Sequence, residues 1–385
     1  MRKYLAKRLI QNVLTFFLFL TAVYFLLDAQ PGDFGNIFLN DPKLTAEQRQ
    51  LLRHNLGLDK PTWERYLIWM QNFFQGDFGI SFSNYPRPVL DVIAERAPRT
   101  IVLFLSSTVV SFYLGFIAGK VLAWRRGGLL EYVATIGGVG LYTVFLPWFA
   151  LMMVWVFAYT LKLFPIGKFI DPVLWRTAPV AANYVFHRML LTSLIASVAL
   201  FVWLFSTRRF NPVKRARLRW LGGGVVLLGL MVYWLFFTGG AARYALDILH
   251  HLALPIVTLT AVSFAGTMLL TRSSMLETLR EDYILAARAK GLPEKVVRDK
   301  HAARNALLPV FTSFMFTLAG VLNGGVITET TFSWPGIGLT LLKAAETEDI
   351  PTTVGVLVFT GALTLTAHFV ADVLYAYLDP RVRYV

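Results

Sequence analysis

Cysteine is missing from all 385 residues, which removes disulfides and thiolate metal sites from consideration. Charge is scarce. Asp, Glu, Lys and Arg together make 16% of the chain, against about 25% in a soluble domain. Acid is scarcer than base, 23 residues against 37. The resulting charge of +14 raises the question of nucleic acid. The cations, however, sit in short clusters beside apolar stretches, as in membrane proteins with basic cytoplasmic loops, and no nucleic-acid partner is expected. Six histidines are scattered without metal-ligand spacing. A G-x-x-x-x-G-K-[ST] phosphate loop is absent. The nearest string, Gly119-Lys120-Val121, has Leu114 where the first glycine belongs and lies inside an apolar stretch. Gly79-Ile-Ser81-Phe lacks the second glycine of a nucleophile elbow. No catalytic constellation emerges, and none is expected.

What the chain has is apolar surface. It is 56% hydrophobic, with 31 Phe and 10 Trp. Nearly uncharged runs of about 20 residues, enough to cross a hydrocarbon layer, recur along it. The dyad alternation of an outer-membrane barrel is not seen. The expectation is an all-α integral membrane protein, a polytopic helical bundle with about eight spans near 9–27, 101–122, 133–160, 189–206, 220–237, 252–271, 309–328 and 353–376. The first apolar run is longer than a signal-peptide core and no A-x-A site follows, so it is read as a retained span. Arg2, Lys3, Lys7 and Arg8 place the N-terminus in the cytoplasm. Eight spans then put Arg125 and Arg126, the acid-free basic loop 207–219, the segment 272–304 and the tail with Arg381 and Arg383 on the same side.

The expected organisation is a first span at 1–28, an extracytoplasmic domain at 29–99, core spans in 100–182, a transmembrane hairpin at 183–245 and further core spans in 246–385. Segment 29–99 has as many acidic as basic residues, with turn signals at Pro31-Gly32-Asp33, Gly76-Asp77, Pro86 and Pro88. Thr45 followed by Gln48 has the look of a helix start. Trp63, Tyr66, Leu67 and Met70 have helical spacing and are expected to form that domain's core. Gly115-x-x-x-Gly119 and Gly320-x-x-x-Gly324 permit close helix packing.

Residues 282–310, DYILAARAKGLPEKVVRDKHAARNALLPV, are strongly polar between apolar neighbours. Helix formers run up to Lys290. Gly291 suits the left-handed C′ position, and Pro293 suits the first position of a second helix. Val296, Val297, Ala303, Ala306 and Leu307 make an apolar stripe, while Lys295, Arg298, Asp299 and Lys300 are expected to stay wet. The result is two amphipathic helices at a bend. They either lie flat on lipid or dock into a groove of a soluble partner. Five acids, Glu277, Glu281, Asp282, Glu294 and Asp299, disfavour anionic lipid.

The stretch resembles the EAA loop of ATP-binding-cassette importer permeases in its oligopeptide/dipeptide form. That form reads D-Y-x-x-x-A-R-A-K-G-L, then H-A-x-R-N-A-L-x-P; Leu285 stands where the general pattern has glutamate. Pro31-Gly32-Asp33, Gly76-Asp-Phe-Gly-x-Ser81, Thr328-Glu-Thr-Thr-Phe-Ser-Trp-Pro-Gly-Ile-Gly338 and the terminal Tyr377-Leu-Asp-Pro-Arg381 resemble the same family, in the order of its B-type subunit. The resemblance implies a type I importer fold in a bacterial inner membrane, with a six-span core to which 183–245 adds two.

It further implies a pathway shared with a second, homologous permease. Two ATP-binding subunits would carry ATP and magnesium, an extracytoplasmic binding protein would deliver the cargo, and this chain itself would bind no cofactor. The cargo expected is peptide, with oligosaccharide or nickel as the alternative. A stand-alone secondary transporter would show inverted repeats, and none is evident.

In the loop 272–308 the implied ATPase-coupling residues are Asp282, Ala286, Ala287, Arg288, Lys290, Gly291, Leu292, His301, Arg304 and Asn305. Arg288 and Lys290 are either partner contacts or a solvated face; His301 is either a pH sensor or a packing residue. Glu329, Phe332 and Trp334 are gate or pathway candidates, with Glu329 reading equally as an anchor capping nearby amides. His368 and Asp372 have the spacing of a structural pair. The hairpin serves lipid contact, subunit contact or regulation.

Overall fold

The computed structural model describes residues 2–29, 45, 47, 50, 60–321 and 325–378. Backbone polar groups have no substitute partner in hydrocarbon, so apolar runs close their hydrogen bonds within helices. In chain order these are α1 (Arg2–Asp28), α2 (Thr62–Phe74), α3 (Val89–Trp124), α4 (Leu129–Thr143), α5 (Leu146–Met153), α6 (Ala182–Ser206), α7 (Pro212–Phe236), α8 (Ala242–Thr278), α9 (Asp282–Ala289), α10 (Ala303–Gly320), α11 (Val326–Thr331), α12 (Ile337–Glu346) and α13 (Ile350–Leu378). Among the described residues there is no strand, only an isolated bridge from Ile80 to Pro88.

Among those residues six helices, α1, α3, α6, α7, α8 and α13, are long and apolar enough to span a membrane, and α4 with α5 makes a seventh if one bent pair is counted as a span. Two expected spans therefore change form. The one at 133–160 bends by 106° between α4 and α5. Pro147 lies at the break: it sits in the first turn of α5, where its missing N–H leaves no bond unmade, and a continuous helix would set its ring against the Thr143 carbonyl. The span expected at 309–328 falls on α10, which ends at Gly320 and is not among those helices; α11 starts afresh at Val326.

The helices also begin earlier than the apolar runs do. Helix α3 has 36 residues, roughly 54 Å, and its first turns belonged to the expected external domain. Their charges are paired with one another: Glu95 meets Arg87 at 2.8 Å and Arg99 at 3.0 Å.

The chain folds as two compact units, Met1–Trp155 with Pro255–Val385, and Val156–Leu254. In the first unit α13 packs on α1, α3, α10 and α12. Gly115 and Gly119 lie directly against α8, where an added Cβ would come within 2.7 Å of Thr267 and 2.5 Å of the Met268 carbonyl oxygen. Gly320 has open space around it instead, and Gly324 lies outside the described residues.

Helix α2 buries a face rotated from the expected one. Tyr66, Trp69, Met70 and Phe73 pack on Leu20, Val354 and Val358, and Tyr66 shares a 2.8 Å hydrogen bond with Thr21. Trp63 and Leu67 are exposed. Sequence spacing allowed both faces, and only the position of α1 and α13 selects one. The Gln48 end of the expected helix start, Pro31-Gly32-Asp33, most of Tyr377–Arg381, and the side chain of Asp372 lie outside the described residues. His368 bonds its own helix, Nδ1 to the Thr364 carbonyl at 2.8 Å.

The second unit is wider than the expected hairpin 183–245. Helices α6 and α7 pack antiparallel, tied by Arg188, whose Nε donates to the Tyr233 hydroxyl at 2.6 Å and Nη1 to that of Tyr184 at 2.8 Å. The flanks join because their polar groups need partners. Asp247 accepts from Trp175 Nε1 at 2.8 Å and from the Asp171 N–H at 3.1 Å, and Trp175 lies on Tyr244.

Candidate functional site

The polar stretch 282–307 folds as a hinge. Its inner side is built of small residues: Ile284, Ala287, Val297, Ala302, Ala303 and Ala306 are buried against Ala123 of α3 and Met275 of α8. Alanine lets three helical pieces approach closely and still excludes water. At the bend Gly291 has φ +71°, a left-handed conformation that costs a residue with a Cβ roughly 1–2 kcal/mol. The Gly291 N–H donates to the Arg288 carbonyl at 2.9 Å and the Leu292 N–H to that of Ala287 at 3.4 Å, the paired bonds of a Schellman stop. Pro293 does not open the next helix as expected. It is the extended N-cap (ψ 138°) of the turn Glu294–Val296. A π-helical stretch, Val297–Ala302, leads into α10.

Of the coupling candidates, Asp282, Ala286, Arg288, Lys290, Gly291, Arg304 and Asn305 face outward and are exposed, Ala287 is buried, and Leu292 and His301 are half-buried. Asn305 Nδ2 donates to the Tyr283 hydroxyl at 2.7 Å. Arg288 Nε lies 3.3 Å from Glu294 across the bend, a surface pair of small energetic weight.

Two residues expected to stay wet do not. Arg298 and Asp299 are half-buried because they turn toward α3. Lys120 Nζ meets Asp299 at 3.1 Å, Arg298 grips the same carboxylate at 2.9 and 3.0 Å, and the guanidinium groups of Arg288 and Arg298 lie 5.8 and 5.9 Å from the Trp124 ring. The Arg298 hydrogen bonds, with Lys120 beside them, hold the Asp299 carboxyl down at about 2. Lys120 and Trp124 were not among the sequence candidates. The available signal was a lone lysine late in an apolar run, four residues before a tryptophan.

At the other end of α3 sits a second cluster. Thr100 precedes Lys120 by 20 residues, roughly 30 Å of helix and the thickness of a hydrocarbon core. Here Glu329, Phe332 and Trp334 come together and all are buried. The Thr100 hydroxyl donates to Glu329 Oε1 at 2.6 Å and accepts the Ile337 N–H at 2.8 Å. The Leu339 N–H donates to Glu329 Oε2 at 2.9 Å. Trp334 Nε1 donates to the Arg99 carbonyl at 3.2 Å, and Arg99 Nη1 to the Pro335 carbonyl at 3.3 Å. Glu329 is thus a buried cap on the first turn of α12, shared with α3 through Thr100. Gly336 passes so close that any Cβ would overlap both Thr100 and Glu329.

A third carboxylate works in the same way. Asp349, fully buried just before α13, accepts the Ser81 hydroxyl at 2.7 Å, the Ser83 N–H at 2.9 Å and the Thr352 hydroxyl at 2.8 Å. Burial alone would raise its pKa. The hydrogen bonds from Ser83, Ser81, the Phe82 amide and Thr352 outweigh that and hold it below the ordinary carboxylate value. Ser81 closes the Gly76–Ser81 motif, so the motif's last residue moors its segment to α13.

The comparisons with known proteins bear on the whole chain. The family described as binding-protein-dependent transport system inner membrane component matches residues 221–384, and its N-terminal counterpart matches residues 1–104. The chain is 30% identical over 386 residues to the dipeptide transport system permease protein of Lactococcus lactis subsp. cremoris, covering 100% of both chains. It is 30% identical over 364 residues to the oligopeptide transport system permease protein of Bacillus subtilis, covering 94% of this chain and 93% of that one. The di/tripeptide transport system permease protein of Pseudomonas aeruginosa is 30% identical over 385 residues, covering 100% and 99%. With its helical, multi-span architecture and a full-length match of this kind, the chain belongs to the family of inner-membrane components of binding-protein-dependent transport systems.

Proposed function

We propose that this chain forms half of the translocation pathway of a bacterial importer for peptides, driven by ATP bound on other subunits. It pairs with a second, homologous permease, with two ATP-binding subunits carrying ATP and magnesium, and with an extracytoplasmic protein that delivers cargo. Both termini and the hinge 282–307 then face the cytoplasm, consistent with the basic clusters. The peptide names of the full-length relatives favour this cargo over oligosaccharide or nickel.

One observation carries the reading: an outward polar face, Asp282 to Asn305, mounted on an alanine-packed hinge that is pinned to α3 by Lys120 and Asp299. Such an element receives force without deforming. Closure of the ATP-binding subunits tilts the hinge, and α3 transfers the tilt about 30 Å to the cluster of Thr100, Glu329 and Trp334. The two arrangements of that cluster are the open and closed states biased by ATP.

The test uses the reconstituted complex and radiolabelled dipeptide uptake. Lys290→Glu on the exposed face is expected to release the ATP-binding subunits and to reduce ATP-dependent uptake more than tenfold while the permease pair stays intact. Unchanged uptake with Lys290→Glu, or uptake without ATP, overturns the reading. Uptake of nickel or an oligosaccharide in place of dipeptide overturns the cargo alone.

A further inference from the structure

The transport reading leaves unused the tip of the α6–α7 hairpin. In the second unit the carboxylates are Asp171 and Asp247, and both lie at the far end. Asp171 is near Phe169, which packs on Phe186 in the first turns of α6, and the tip follows Phe186 by roughly 30 Å of helix. At the tip, Arg208, Arg209, Lys214, Arg217 and Arg219 are all exposed. Among the described residues, none of these five has an ion-pair partner.

The loop that presents them is built. Arg215 turns inward and is consumed in its structure: Nη2 donates to the Arg208 carbonyl at 2.7 Å and to that of Phe210 at 2.9 Å. Thr207 is buried, with its hydroxyl on the Leu204 carbonyl at 3.0 Å, and Trp203 Nε1 crosses to the Leu218 carbonyl at 2.9 Å. Helix α7 starts here on extended Asn211 with no side-chain cap; Pro212 has no N–H and the Arg215 amide is bonded to the Asn211 carbonyl, which leaves the amides of Val213 and Lys214 for an anion. Interleaved with the cations along the chain is an exposed apolar set, Phe205, Phe210, Val213, Trp220 and Leu221, which we call the collar.

We infer that the hairpin tip is a binding site for the headgroup of an anionic phospholipid. The cations and the α7 amides take the phosphate, and the aromatic collar sits at the level where acyl chains begin. Charge complementarity selects this occupant over a zwitterionic lipid. The exposed apolar side chains select it over an acidic soluble protein, which would leave Trp220 and Val213 in water. Arg208, stacked 4.8 Å from the Phe205 ring, bridges the two zones.

The experiment is lipid retention by the purified complex. The complex is placed in nanodiscs of phosphatidylcholine with added phosphatidylglycerol, extracted, and its bound lipid counted by native mass spectrometry. Phosphatidylglycerol is expected to be retained in preference. Each cation removed in the series Arg209→Gln, Lys214→Gln, Arg217→Gln, Arg219→Gln should lower retention about fivefold. Arg→Lys at 209, 217 and 219 should restore it, and raised salt should mimic the loss in the unaltered protein. Equal retention of both lipids, or no change across the series and the salt range, overturns the inference. So does cross-linking of the tip to an ATP-binding subunit with the same yield in lipid-free detergent. The readout is bound lipid, so it stands apart from whether the complex imports peptides.

Discussion

The two ends of α3 hold charge in opposite ways. At the Lys120 end the carboxylate of Asp299 is only half-buried, its partners are cations, and the neighbouring polar side chains point outward. At the Thr100 end Glu329 is fully buried, and its partners are hydroxyl and amide donors. The first arrangement gives up stability to keep a face free for a partner. The second is a fastening, in which every acceptor is matched because a buried unmatched group would be costly. The difference separates a contact surface from a structural latch, although both regions carry charged residues beside apolar spans.

The comparison can be broken in order of expected effect. Glu329→Ala strands the Thr100 hydroxyl and the Leu339 amide and should cost about 3 kcal/mol, read as a fall in the unfolding temperature of the purified complex. Glu329→Gln should lose less than half of that. If Glu329→Ala leaves stability unchanged, the latch is not one.

Next comes packing between the two ends. Gly119→Val forces a side chain into the α8 backbone and should cost roughly 1–3 kcal/mol, whereas Gly320→Val, in open space, should be close to neutral in the same assay. Gly291→Ala should cost roughly 1 kcal/mol through its left-handed backbone, and hydrogen exchange should rise in 282–302 with α13 unaffected.

The smallest effect is in pH. The Asp299 carboxyl titrates at about 2 in the folded chain against an ordinary 3.8. Its depressed value means that its contribution is complete above about pH 4 and disappears as pH falls toward 2. Asp299→Asn should remove that part of the acid sensitivity of hinge protection, and Glu294→Gln, on the exposed pair, should not.

The bend of the hinge was legible, although the place of Pro293 and the burial of Arg298 and Asp299 were not. Helix formers up to Lys290 and a lone glycine before a proline state a local rule, and Gly291 sits where that rule puts it. The pinning of the hinge was not legible. Lys120 belongs to an apolar run more than a hundred residues away, and its role exists only once α3 ends beside Asp299. In the same way the partners of Glu329, Thr100 and the first turn of α12, could not be read from its own segment.

Length, charge scarcity and apolar runs determined by themselves that this chain is a helical membrane protein, because solvent and bilayer act on each segment locally. The face of α2 that is buried, the glycine motif that packs and the carboxylate that seals were decided by tertiary structure alone. Each of those depends on which distant helix arrives opposite, and periodicity within a segment carries no information about that.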